Sequence, residues 1–178
     1  MIIFETKVEG VSQPALARFA SQAKKLCRLQ GEVSVLIAGS RRLQALNRQF
    51  RRKNKATDVL SFPRERGGDI AISANIAFAN AARLGHSALN ELKILVLHGM
   101  LHLAGYDHEG DDGQMRRKES RLRKELRLPD SLIERTHAKS SAATSVRISS
   151  SSRARKPRAR KTRRVTKSRS TVAKRGRR

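Results

Sequence analysis

The chain has 178 residues, a length typical of one domain, and its 40 basic and 15 acidic residues give it a formal net charge of +25. This positive excess favours a polyanionic partner such as nucleic acid. No apolar run approaches the ~20 residues that a transmembrane helix needs, so the sequence predicts no membrane span. No secretory leader is apparent, and the single cysteine, Cys27, cannot form an internal disulfide. Both features predict a cytoplasmic protein.

Strands and helices alternate in the first half of the chain. Residues 11–29 carry apolar side chains at helical spacing after Ser12, a residue type that favours the N-cap position. Residues 32–38 are rich in Val, Leu and Ile, which favour a strand. We therefore predict strands over 1–9 and 32–38, and helices over 11–29 and from Ser40 to Phe50.

The second half of the chain is expected to complete a sheet and to add further helices. Short apolar strands are predicted over 57–62 and 69–73, with a turn at Gly67-Gly68 between them. One helix is predicted from a cap at Ser73 or Asn75 to Leu84, and a second helix, capped by Ser87, follows it. Two more helices are predicted over 114–128 and 131–137. This order predicts a single α+β domain over residues 1–137, in which a small mixed sheet packs against five to six helices.

The C-terminal segment, residues 138–178, differs sharply from the rest. It holds 16 basic residues from Lys139 onwards and no acidic residue, with few large apolar side chains. Such a composition cannot bury enough surface to offset the entropy of ordering, so we predict a disordered tail. Its charge predicts nonspecific contact with nucleic acid through the phosphates; a solvated tail without a partner is the alternative.

Three of the five histidines of the chain cluster at 98, 102 and 108. His98 and His102 are four residues apart, so on a helix their imidazoles project from one face. Gly105 lies where the helix would end, and the chain can turn back there to bring His108 toward the same point. Three imidazoles around one cation leave a fourth tetrahedral position open, as in catalytic zinc sites. The spacing therefore predicts a metal centre.

Gly99 distinguishes this motif from the zincin protease motif His-Glu-x-x-His. In those proteases the glutamate accepts a proton from the water on the metal, which a glycine cannot do. Peptide hydrolysis by that route is therefore disfavoured. The small residue indicates either close packing of the helix or an open approach to the metal.

Several segments together resemble one family. Residues 98–108 (His-Gly-Met-Leu-His-Leu-Ala-Gly-Tyr-Asp-His), 57–63 and 68–73 match, in the expected order, motifs of the YbeY endoribonucleases, which are bacterial rRNA maturation factors. The loop that contains Phe50-Arg51 resembles the family segment that carries a functional arginine. The resemblance covers about residues 1–135.

This resemblance has implications for fold, site and activity. It implies a four-stranded, mostly parallel sheet with one antiparallel strand, and a zincin-like metal helix. It also implies one Zn²⁺ per chain held by His98, His102 and His108, and a catalytic role for Arg51, although Arg48, Arg52 and Lys53 lie close by in the sequence. The implied activity is that of a metal-dependent, single-strand-specific endoribonuclease. Its implied partners are the 16S rRNA precursor and the small ribosomal subunit, in 3′-end maturation and ribosome quality control.

Two other functions remain open from the residues. One is a metallohydrolase acting on a substrate other than RNA, against which the lack of a carboxylate at Gly99 counts for peptides. The other is a noncatalytic protein that binds RNA or the ribosome and uses zinc only to hold its fold. A three-histidine set without cysteine counts against it, because structural zinc prefers a closed shell of four ligands. The general base is unassigned, and Asp107 and Glu109 are candidates for it or for orienting His108.

Overall fold

Four strands and five helices make up the part of the chain that this computed structural model describes, residues 1–107 and 110–129. In chain order these elements are β1 (Ile2–Phe4), α1 (Gln13–Leu26), β2 (Glu32–Ala38), α2 (Ser40–Arg51), β3 (Val59–Pro63), β4 (Gly67–Ser73), α3 (Ala74–Leu84), α4 (Ala88–Leu103) and α5 (Gln114–Glu125).

The strands form one mixed sheet in the order β1-β2-β4-β3. Strands β1, β2 and β4 run parallel, whereas β3 forms an antiparallel edge beside β4. The β3–β4 pair is a hairpin, so its strands are antiparallel, and the parallel pairs are joined through helices, as such connections require. The predicted α+β fold with one antiparallel strand is confirmed.

The two faces of the sheet carry different layers. Alternate residues of β2 and β4, such as Val35 and Ile70, enter the main core, which contains apolar side chains from α1, α3, α4 and α5. The intervening residues, such as Ala71, meet Leu43 of α2 in a smaller cluster on the opposite face. This division follows from the two-residue period of a strand. Helix α4 contacts β3, β4 and the three helices α1, α3 and α5, which fixes its position on the sheet.

Most element boundaries agree with the sequence predictions to within two residues, with four corrections. Helix α1 ends at Leu26, before the predicted Leu29, and Arg28 has a positive φ of 56°. Strand β1 is shorter than the predicted 1–9, because it pairs with β2 over only three residues. Gly67 and Gly68 belong to β4 and pair with Glu32 and Val33 rather than forming the turn. Helix α5 ends at Glu125, before the predicted Leu128, and Arg127 has a positive φ of 53°.

Some predictions concern residues outside those described. They include the short helix over 131–137, the tail over 138–178 and the boundary between domain and tail, all of which stay predictions. Among the described residues, no helix has the length and apolar character that crossing a membrane requires.

Candidate metal centre and its cleft

Helix α4 carries the first two histidines of the motif. Its N-terminus is capped by Ser87, whose Oγ accepts the backbone N–H of Asn90 at 3.2 Å, as the sequence predicted. After the helix ends, Gly105 adopts the left-handed conformation with φ 86°. Because the helix is buried between the sheet and its neighbours, its packing fixes the direction in which the histidines project.

The structure brings His98 and His102 together as the spacing predicted. Their Nε2 atoms are 3.1 Å apart, and their rings lie nearly perpendicular at a centroid distance of 4.8 Å. Two nitrogens bound to one tetrahedral zinc ion at the usual bond length lie about 3.3 Å apart. The pair therefore fits a shared ion in both donor type and separation.

His108, the third predicted ligand, lies outside the described residues. Within residues 1–107 and 110–129, no three His, Cys, Asp or Glu side chains form a group that could hold a metal ion. The complete ligand set therefore stays a prediction, in which the described pair supplies two of the three imidazoles.

A buried carboxylate and a buried guanidinium lie behind His98. Nδ1 of His98 is 3.2 Å from Oε2 of Glu119, and Nη1 of Arg123 donates to Oε1 of Glu119 at 3.3 Å. The three residues are 5%, 0% and 2% exposed. No role was predicted for Glu119 or Arg123, because α5 is dense in charges of both signs and its composition alone does not mark these two as buried. The available signal was that Glu119 lies on the helical stripe of Met115 and Leu122, which are both buried.

A cleft of about 500 Å³ joins the histidine pair to the predicted arginine. Arg51, at the end of α2, lines this cleft together with His98 and His102. The loop after α2 adds Lys53 and Lys55 to the same wall, whereas Arg48 lines a separate depression on α2. Of the basic residues around position 51, the structure thus brings Arg51 and Lys53 to the histidines.

Strand β3 and the loop before it form another wall of the cleft. Asp58 is the acidic residue among the described residues that line it. Oδ1 of Asp58 accepts the backbone N–H of Val59 at 2.9 Å and the hydroxyl of Thr57 at 3.1 Å, which fixes the carboxylate. Asp58 lies within the segment 57–63 that resembles a family motif, and no role was predicted for it. The nearby Ser61 donates to the carbonyl of Gly99 at 3.3 Å and so ties β3 to α4.

Gly99 faces the sheet rather than the cleft. A Cβ atom built there would lie 2.9 Å from Cγ2 and 3.0 Å from Cδ1 of Ile70 on β4. Close packing therefore accounts for the glycine. A carboxylate at this position would enter the packed interface between α4 and β4, away from the two imidazoles.

Comparison with known proteins identifies the family that the chain matches. The family model described as "Endoribonuclease YbeY" matches residues 3–127. A protein of that description from Koribacter versatilis is 55% identical over 139 residues, which cover 76% of this chain and 91% of that protein. Another from Solibacter usitatus is 44% identical over 139 residues, covering 77% and 95%. A solution structure of a Thermotoga maritima protein covers 71% of this chain and 92% of its own, with 31% identity and a TM-score of 0.49. The family match spans nearly all of the described residues.

Proposed function

The chain belongs to the YbeY endoribonuclease family, and from this premise we propose that it is a zinc-dependent endoribonuclease specific for single-stranded RNA. We propose further that it matures the 3′ end of 16S rRNA, takes part in ribosome quality control and works in the cytoplasm. The observation that carries the catalytic part is the cleft that Arg51 shares with His98 and His102.

His98 and His102, with His108, would hold the zinc ion. Imidazole nitrogen is among the donors that zinc prefers, and the separation of the described pair suits one ion. When bound, zinc supplies Lewis-acid chemistry, in which it polarises a phosphoryl oxygen and lowers the pKa of water.

The cations of the cleft would bind the phosphates of the RNA. The guanidinium of Arg51 would bind a nonbridging phosphate oxygen and stabilise the charge that develops there during cleavage. Lys53 and Lys55 lie along the same wall and would bind neighbouring phosphates. Asp58 lines the same cleft, where two donors fix its carboxylate, and it would accept a proton from the attacking hydroxyl or water.

Cleavage of a single-stranded RNA by the purified full-length chain, with and without added zinc and a chelator, tests this proposal. We expect His102→Ala to lose both zinc and cleavage. Arg51→Ala should keep its zinc but cleave about 10²-fold more slowly, because an electrostatic donor to the transition state is gone. Matched controls are His86→Gln, a histidine outside the cleft, and Arg48→Ala on the same helix; both should cleave normally.

Full cleavage by His102→Ala, or by the wild type after complete removal of metal, would contradict the zinc-dependent mechanism. A casein-digestion assay on the same samples tests the rival of a peptide metallohydrolase. The ribosomal role has its own test, in which 3′-extended 16S rRNA within small subunits is the substrate. Failure to shorten that RNA, with free RNA still cleaved, would remove the 16S role and leave the nuclease activity.

A further inference from the structure

Three charged or polar side chains lie in a buried row that begins at the cleft and runs into the core. His98 faces His102 through Nε2 and faces Glu119 through Nδ1, and Glu119 in turn contacts Arg123. The ion pair between Glu119 and Arg123 connects positions four apart on α5, and both residues are at most 2% exposed. The row therefore connects α5 with the metal helix α4.

Burial of these charges has a high desolvation penalty, which well-packed apolar residues would avoid. A carboxylate with no water around it acts strongly on the groups that it contacts, because the local dielectric is low. On the side of the cleft, Glu119 contacts the ring of His98. A carboxylate oxygen 3.2 Å from Nδ1 favours the tautomer that carries its proton on Nδ1. In that tautomer the lone pair of Nε2 faces His102.

We propose that Glu119 is a positioning residue for the metal centre, where it keeps the proton of His98 on Nδ1 and so presents Nε2 as a ligand. Arg123 holds the Glu119 carboxylate in place from the other side. Partners of this kind fix ring orientation and raise the basicity of metal-bound histidines. The inference rests on the metal site of the proposed function, and it assigns a role to α5, which contributes no described side chain to the cleft wall.

The structure offers a matched control for a purely structural role. Glu91, on the same helix as His98, is also wholly buried and also contacts a histidine, His86, with Oε2 2.7 Å from Nε2. Neither residue lines the cleft. Changing Glu91 to glutamine removes a buried carboxylate with the same chemistry, on the same helix, without touching the histidine pair.

The test compares full-length Glu119→Gln and Glu91→Gln with the wild type by zinc titration in competition with a chromophoric chelator. We expect Glu119→Gln to raise the zinc dissociation constant about 10- to 100-fold, as loss of such a partner does elsewhere. Glu91→Gln should stay within about twofold of the wild type. An unchanged constant in Glu119→Gln, or an equal rise in both variants, would overturn the proposal.

A second measurement on the wild type keeps the proposal testable if Glu119→Gln does not fold. The nitrogen shifts of the His98 ring in the zinc-free protein, at a pH where imidazole is neutral, report the tautomer directly. We expect the proton on Nδ1, and a proton on Nε2 would refute the assignment. These tests distinguish a failure of this proposal from a failure of the proposed function. A difference in zinc affinity without any RNA cleavage would contradict the proposed nuclease activity and leave the role of Glu119 intact.

Discussion

Gly99 is a residue at which helix α4 packs closely on the sheet. Three side-chain atoms of Ile70 lie within 3.2 Å of the position that a Cβ at residue 99 would take. Alanine is a better helix former than glycine by about 1 kcal/mol. Overpacking of a rigid core costs about 1–3 kcal/mol, however, and Ile70 is 1% exposed with little room to move. The crowding therefore outweighs the gain in helix propensity.

We predict that Gly99→Ala destabilises the protein by about 1 kcal/mol, measured as the free energy of unfolding in urea. The double variant with Ile70→Ala isolates the cause, because that change removes all three crowding atoms. In the Ile70→Ala background, Gly99→Ala should be neutral or stabilising. If Gly99→Ala destabilised both backgrounds equally, the contact with Ile70 would not be the reason for the glycine.

Cys27 is a thiol buried in the core. Burial raises the pKa of Cys27 from 9.0 to about 11, partly opposed by the positive charge of Lys118. Since the thiolate is the nucleophile, we expect iodoacetamide to alkylate the native protein far more slowly than the urea-unfolded chain at the same pH. Equal rates would show that Cys27 is open to solvent.

The same shift gives the sign of a pH effect on stability. The unfolded thiol loses its proton near pH 9 while the folded one keeps it to about 11, so the contribution of Cys27 is full below pH 9 and is lost as the pH rises through that window. The difference in unfolding free energy between the wild type and Cys27→Ala should fall over this range. A difference that stays flat would contradict the raised pKa.

Signals within short stretches of the sequence predicted the strand bounds and helix caps that depend on neighbouring residues. Strand β2 has the predicted bounds, and Ser12, Ser73 and Ser87 cap helices at the predicted positions. Gly67 was misplaced because glycine pairs usually mark turns. The turn instead lies at 64–66, and Gly67 begins β4, where glycine is needed because a Cβ would overlap the Glu32 carbonyl. That contact arises between strands distant in sequence, so periodicity could not reveal it.

In the candidate site, too, residues close together in the sequence were predicted from spacing, whereas contacts between distant segments were not. The i,i+4 spacing on one helix predicted that His98 and His102 face each other. Arg51 was placed in the site by family resemblance, since it comes from the other side of the sheet through α2 and the following loop. Glu119 was missed altogether, because its burial depends on how α5 packs against α4.

The helix caps offer a matched test of how burial changes the value of one hydrogen bond. Ser73 caps α3 from a fully buried position, and its Oγ accepts from the backbone of Ile76 and lies 2.8 Å from Oγ of Ser40. Ser12 caps α1 from an exposed position through one bond of 3.4 Å to Ala15. We predict that Ser73→Ala destabilises by about 2 kcal/mol and Ser12→Ala by about 0.5 kcal/mol, in urea unfolding. Equal losses would mean that burial and the second partner add nothing.

The charge of the chain is distributed unevenly along the sequence. Residues 138–178 carry 16 of the 40 basic residues and none of the 15 acidic ones. The cleft carries Arg51, Lys53 and Lys55 against Asp58, a small net charge confined to one place. Chemistry should therefore depend on the cleft, whereas overall affinity for RNA should depend on the segment.

Deletion of residues 138–178 should weaken RNA binding and make it less sensitive to salt, while the cleavage rate at saturating RNA is retained. Each phosphate that a cation neutralises on single-stranded RNA adds about 0.7 to the slope of log K against log salt concentration, so losing several such contacts flattens the line. Fluorescence anisotropy over a salt series measures the slope, and single-turnover cleavage measures the rate. A full-length control in which the lysines and arginines of 138–178 are replaced by glutamine should behave like the deletion. An unchanged slope in both variants would remove the segment from RNA binding, and a lost rate would place it in the catalytic machinery.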